Sequence, residues 1–202
     1  MLTIALPKGR IADETLDRFE KAFGEKFVFE DRKLILEKSG FKFLNVRNQD
    51  VPTYVMHGAA DLGVVGLDVL EEKAYDLIKL LDLKLGRCKV AFGLRAGEKL
   101  NFDKSKITIA TKHEKIAKKY FEQKAMAVEI IKLYGSIELA PLVGLCDCIV
   151  DIVETGETMK QNGLEVGPTI METTAHLIAN KNSFYAKKDL IFDLKDKLEK
   201  FL

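Results

Sequence analysis

A chain of 202 residues, 47% of them hydrophobic, is long enough to bury one large core or two small ones. Its 32 Lys and Arg are balanced by 31 Asp and Glu, for a formal charge of +1. That leaves none of the basic excess that a nucleic-acid surface requires. No apolar run approaches the ~18 residues of a membrane-spanning helix, and "MLTIALPKGR" lacks the apolar stretch of a signal peptide. The expectation is a cytoplasmic protein that engages neither nucleic acid nor membrane.

In chain order, "LTIAL" (2–6) reads as a buried strand ended by Pro7, and residues 11–22 as a helix. "KLILEK" and "FKFLNV" read as two strands joined at Ser39-Gly40. Asp50 and Pro52 occupy the N-cap and early-turn places of a short helix. "ADLGVVG" is a further strand, "DVLEEKA" a helix, and "DLIKLLDL" with "RCKVAFGLRAG" closes the first half. From about residue 107, strands ("ITIA", "AVEIIKL", "DCIVDIV") alternate with helices ("KHEKIAKKYFEQK", "SIELAPLVG", "TGETMKQNG"), the rhythm of a parallel sheet with crossovers. An extended stretch, "EVGPTIMETTAHLIAN", and a lysine-rich C-terminal helix follow. The fold expected is α/β, with two lobes of mixed or parallel sheets and a ligand cleft between them, like type II periplasmic binding proteins. The first lobe is discontinuous, 1–91 plus 171–202, and the second is 92–170. In the last helix, Leu190, Ile191, Leu194, Leu198 and Leu202 recur at helical spacing, a face expected to pack on the first lobe.

Cys146 and Cys148, with one residue between them in an apolar run, are expected on opposite faces as buried small side chains rather than as a metal or redox pair. With Cys88 they are the only cysteines, and His57, His113 and His176 are scattered. No protein metal site is assigned from this pattern. His113, after "ITIAT", is read as a polar loop residue that could face the cleft. For Tyr54 and Asp68, core packing or helix capping weighs equally with a place in the site.

"VDIVETGETMKQNGL" (150–164) raises a chemical question: two acids at a strand end, then hydroxyls around a glycine, then a helix. A loop at the carboxyl end of a parallel strand is where α/β folds bind ligands. Backbone N–H groups at a helix start, with Thr155 and Thr158 hydroxyls and close approach at Gly156, suit a phosphate. Asp151 and Glu154 would repel that phosphate but would accept hydrogen bonds from vicinal ribose hydroxyls. The alternative is a threonine N-cap flanked by solvated acids.

The stretch "EIIKLYGSIELAPLVGLCDCIVDIVETGETMKQNGL" resembles the phosphoribosyl-pyrophosphate (PRPP) segment of the ATP phosphoribosyltransferase family, which opens histidine biosynthesis. Glu138, Gly144, Ile149, Asp151, Thr155, Gly156 and Thr158 fill the family pattern, and "ALPKGR" and "DVPTYVMHGAADLGVVGLDVL" are similar as well. Cys146 and Cys148 stand where the family usually has Ala, which raises oxidation sensitivity near the site as an expectation. The resemblance implies transfer of phosphoribose from PRPP to N1 of ATP, releasing pyrophosphate, with Mg²⁺ held mainly by the substrate. Such chemistry needs positioned reactants and cations on the leaving group. On the family pattern these cations are Arg32 and Arg47. The ATP-facing loop is Lys8, Gly9 and Arg10, and the PRPP loop is Asp151, Glu154, Thr155, Gly156, Glu157 and Thr158. The length matches the short form of the family. The implied assembly is a homodimer within a hetero-octamer containing a histidyl-tRNA synthetase-like regulatory subunit, and the isolated chain is expected to bind histidine weakly or not at all. Two other readings stay open on sequence grounds: a solute-binding protein of similar architecture, and a phosphoribosyltransferase that uses another nucleophile.

Overall fold

The computed structural model describes residues 1–202. In chain order the elements are β1 (Leu2–Pro7), α1 (Arg10–Phe23), β2 (Ile35–Lys38), β3 (Phe41–Val46), a 3-10 turn (Asn48–Asp50), α2 (Val51–Met56), β4 (Leu62–Gly66), α3 (Leu67–Lys73) and β5 (Ile78–Asp82). Then come β6 (Cys88–Arg95), β7 (Ile107–Thr111), α4 (Glu114–Glu122), β8 (Val128–Lys132), α5 (Leu139–Leu142), β9 (Cys148–Val153) and α6 (Glu157–Gln161). The chain ends with β10 (Leu164–Thr173), β11 (Ala175–Ala179), α7 (Lys181–Ala186) and α8 (Lys188–Glu199).

These elements form two units, Met1–Gly86 with Thr174–Leu202, and Arg87–Thr173. The sequence reading put the first boundary at 91/92 and the second at 170/171. Both move by a few residues because β6 pairs along its length with β9 and β10, so it belongs wholly to the second sheet.

In the first unit the sheet order is β2-β3-β1-β4-β11-β5. β1 is parallel to both β3 and β4, while β2, β11 and β5 pair antiparallel to their neighbours. β1 and β4 are apolar nearly throughout because helices or connections cover both faces, the pattern of a central strand. On one face, Leu16 and Phe19 of α1 meet Phe41 and Phe43 of β3, with Phe19 edge-on to Phe43 at 5.0 Å between ring centroids. Each such buried phenylalanine contributes about 1.5–3 kcal/mol through lost water contact. The opposite face is closed by Val51 and Val55 of α2 and Val69 and Leu70 of α3.

The C-terminal segment packs on this unit through Ile191, Leu194 and Leu198, whereas Leu190 and Leu202 remain exposed. It is two helices rather than one. Lys187 leaves the helical conformation, and its ammonium reaches both oxygens of the buried Asp61 carboxylate at 2.8 Å. Asp50 precedes α2 but its side chain makes no capping bond, so the predicted N-cap is positional only.

In the second unit the order is β10-β6-β9-β7-β8. The predicted parallel alternation holds for β8, β7 and β9, but β6 and β10 add antiparallel strands, giving a mixed sheet. β10 is an edge strand whose register shifts between Val166 and Thr169. Pro168 sits in that shift, where its missing N–H breaks no ladder bond. Cys148 packs with Val150, Phe92 and Phe121 on one face, and Cys146 with Ile149 and Ala140 on the other. The two cysteines do lie on opposite faces, but not by strand alternation, which would put residues two apart on the same face: β9 begins at Cys148, and Cys146 precedes it.

Candidate functional site

β9 is the middle strand of the second sheet, and its parallel neighbour β7 ends beside it, with Thr111 opposite Val150. The connections leaving both strands therefore emerge at the same edge. The Thr111 hydroxyl donates to the Val150 carbonyl at 2.6 Å and accepts the His113 N–H at 2.8 Å. This ties the start of the β7–α4 connection to β9.

Immediately beyond, Asp151 Oδ1 accepts the Ile152 N–H at 2.8 Å and lies 3.0 Å from Lys112 Nζ. His113 Nε2 is 3.7 Å from the same oxygen, too long for a hydrogen bond. His113 is only 1% exposed, so it is a packed residue and not the polar loop group expected from the sequence.

The loop after β9 turns at Gly156, with φ 83° and ψ 0°, and this residue rather than Thr155 stands at the N-cap of α6. Thr155 Oγ1 accepts the Glu157 N–H at 3.3 Å, bracing the turn from inside. A pocket of about 330 Å³ is lined by Glu138, Asp151, Glu154, Thr155, Gly156 and Thr158, among others. Of the predicted phosphate and ribose ligands, only Glu157 is not on its wall. Glu157 instead accepts from Gln161 Nε2 at 3.1 Å along the exposed side of α6. Glu138 was matched to the family pattern but not given a role. The chain folds it into the pocket wall at the start of α5. α6 has five residues, so its macrodipole is small, and the loop's backbone and hydroxyls are the stronger anion-binding features.

In the first unit the sheet gathers the predicted cations at one edge. Lys8 follows β1, and its N–H donates to the Val46 carbonyl at the end of β3 at 2.8 Å. Arg47 comes directly after that residue. β2 runs antiparallel to β3, with Asn45 N–H donating to the Leu34 carbonyl at 2.8 Å, so Arg32, just upstream of β2, belongs to the same edge. Lys8, Arg10, Arg32 and Arg47 are all exposed. Gly9 heads the 14-residue α1 with φ 100° and ψ −156°, and its carbonyl accepts the Ala12 and Asp13 N–H groups. Arg10 Nε lies 3.5 Å from Glu14. Tyr54 on α2 is 39% exposed, and Asp68 is buried in the first turn of α3.

No group of three or more His, Cys, Asp or Glu side chains converges as a metal cage. Mg²⁺ asks less of a protein, since one or two carboxylates with substrate phosphates suffice, and Asp151 and Glu154 on the pocket wall fit that demand. None of the three cysteines is in a disulfide. Burial raises the Cys146 thiol and pushes Cys148 up to about 12, so the reactivity expected near the site is suppressed.

A family model described as ATP phosphoribosyltransferase matches residues 47–200. A protein of Wolinella succinogenes named ATP phosphoribosyltransferase is 66% identical over 99% of this chain and 97% of its own length. One from a Sulfurovum species with the same name is 64% identical over 98% of this chain and 97% of its own. Among solved structures, the ATP phosphoribosyl transferase (HisG:HisZ) complex from Thermotoga maritima matches with a TM-score of 0.85 and 36% identity, over 99% of this chain and 98% of that one. The substrate binding protein of an amino acid ABC transporter matches with a TM-score of 0.58 at 13% identity, covering 98% of this chain and 91% of that one, a likeness of fold alone.

Proposed function

The chain belongs to the ATP phosphoribosyltransferase family, enzymes of the first step of histidine biosynthesis, and from that premise we propose how its residues divide the reaction. N1 of the ATP adenine attacks the anomeric carbon of PRPP. The bond from that carbon to the pyrophosphate oxygen breaks, and phosphoribosyl-ATP and pyrophosphate result.

The loop after β9 takes the ribose 5-phosphate end. Thr155, Thr158 and the backbone around Gly156 meet the phosphate, and Asp151 and Glu154 accept from the ribose hydroxyls. The observation that carries this reading is the pocket whose wall holds both acids, both threonines and Gly156. Lys8, Gly9 and Arg10 meet ATP, supported by their place at the N-terminus of α1, where backbone donors and the helix dipole favour anions. Arg32 and Arg47 neutralise the departing pyrophosphate, the charge that grows in the transition state. Mg²⁺, bound mainly through the pyrophosphate, supplies further charge neutralisation.

The solved complex named HisG:HisZ supports a regulatory partner for this chain as well. We take the assembly to be a hetero-octamer built on catalytic dimers with a histidyl-tRNA synthetase-like subunit. The compartment is the cytoplasm, consistent with a biosynthetic enzyme in which no helix is long and apolar enough to cross a membrane.

The test is phosphoribosyl-ATP formation in single-turnover and steady-state modes. Thr158→Ala should weaken PRPP binding by about 1–3 kcal/mol through loss of a hydrogen bond to a charged group. Arg32→Ala and Arg47→Ala should lower the chemical rate more than they lower affinity. A wild-type chemical rate in both arginine variants would remove them from the catalytic step, and unchanged PRPP affinity in Thr158→Ala would remove that hydroxyl from the phosphate site.

A further inference from the structure

Contacts from outside the β9 loop converge on a single oxygen of Asp151. Besides the Ile152 N–H, Oδ1 has Lys112 Nζ at 3.0 Å and the buried His113 ring at 3.7 Å, both from the connection between β7 and α4. Lys112 is well mounted for this. Thr111 and His113 on either side of it are 0% and 1% exposed, and the Thr111 hydroxyl joins the His113 N–H to the Val150 carbonyl.

The terminal torsion of an aspartate is broad and nearly two-fold, so an untethered Asp151 would present either oxygen in many orientations. With Oδ1 engaged by the lysine and the backbone, Oδ2 remains as the acceptor for a ligand in the pocket that Asp151 lines. There is also a charge problem to solve. A polyanionic donor approaching Asp151 and Glu154 meets like charge, and an ammonium against one carboxylate cancels part of it.

We infer that Lys112 is a positioning residue for the phosphoribosyl donor: it orients and neutralises Asp151 so that the carboxylate receives ribose hydroxyls without repelling the phosphates. The inference rests on the assignment of the β9 loop to PRPP. A half-exposed ion pair of this kind adds little to folding stability, so its effect should appear in donor binding and not in unfolding.

The experiment compares wild type, Lys112→Met, Lys112→Arg, Asp151→Asn and the Lys112→Met/Asp151→Asn double variant. The readouts are PRPP titration by calorimetry, KM for ATP, and urea unfolding. Lys112→Met should weaken PRPP binding roughly tenfold, the loss of one charge-assisted contact. KM for ATP and the unfolding midpoint should hold, and Lys112→Arg should recover most of the affinity. The double variant should be no weaker than Asp151→Asn alone, because the lysine acts through the carboxylate. Wild-type PRPP affinity in Lys112→Met beside a weakened Asp151→Asn would overturn the role of Lys112 and leave the loop assignment standing. Independent, additive losses in the double variant would show that Lys112 acts on the donor directly, which also overturns the positioning role. Wild-type affinity in Asp151→Asn would overturn the loop assignment itself, and the inference with it.

Discussion

Gly156 offers the sharpest test of the loop, because two separable strains meet there. Its φ of 83° lies in the left-handed region, which costs an L-residue about 1–2 kcal/mol. A Cβ at this position would sit 2.9 Å from Val166 Cγ2 and 3.8 Å from Val153 Cγ1, so a side chain would point at the apolar wall made by β9 and β10. Val166 is 36% exposed and can rotate away, at about 0.5–1.5 kcal/mol for an off-rotamer side chain. Gly156→Ala should therefore cost about 2–3 kcal/mol in all. If that cost falls on the binding-competent loop, PRPP affinity drops by roughly 30- to 150-fold.

Asn tolerates the left-handed region, and removing the Val166 methyls relieves the contact. Gly156→Asn/Val166→Ala should therefore return to within about tenfold of the Val166→Ala control. Calorimetric titration with PRPP, paired with urea unfolding, measures both quantities. A Gly156→Ala variant with wild-type affinity and midpoint would refute the strain argument. A double variant as weak as Gly156→Ala would show that the loss comes from something other than these two strains.

Leu194 is 1% exposed in the first unit's core, so Leu194→Ala should destabilise by about 2–5 kcal/mol in urea unfolding, leaving a cavity under α8. Burial alone would raise the Asp61 pKa, but hydrogen bonds from Lys187 and the Thr3 N–H outweigh it and hold the carboxyl below its usual 3.8. Because the folded value is the lower one, Asp61 stabilises the chain in full above that usual value and loses this as pH falls through the folded value. Asp61→Asn should accordingly cost about 2–3 kcal/mol at pH 7 and flatten the acid limb of a pH–stability curve. The three thiols should divide in a disulfide-exchange assay on native protein: Cys88, partly exposed, reacts, while Cys146 and Cys148 react only after denaturation.

Much of the local structure was legible from periodicity. The helix at 11–22 appears as α1 over Arg10–Phe23 and the Ser39-Gly40 hairpin forms, because each depends on contacts within a few residues. The loop motif at 151–158 was legible for a similar reason, since its acids, hydroxyls and glycine are contiguous. Pairing partners were not. "CKVAFGLR" reads as a strand either way, and only its antiparallel pairing with β9 and β10 assigns it to the second sheet and moves the boundary to Gly86. Local signals likewise cannot say that β2, β3 and β1 lie side by side, which is what brings Arg32, Arg47 and Lys8 to one edge from positions far apart in the chain. The same holds for Lys112 and His113. In the sequence Lys112 carries no signal and His113 only its place after a strand, and they face Asp151 because β7 and β9 run parallel in register. Periodicity and motif spacing thus determined which local elements the chain forms, the family resemblance supplied the chemistry, and hydrogen-bonded strand pairing, a non-local interaction, decided which groups meet.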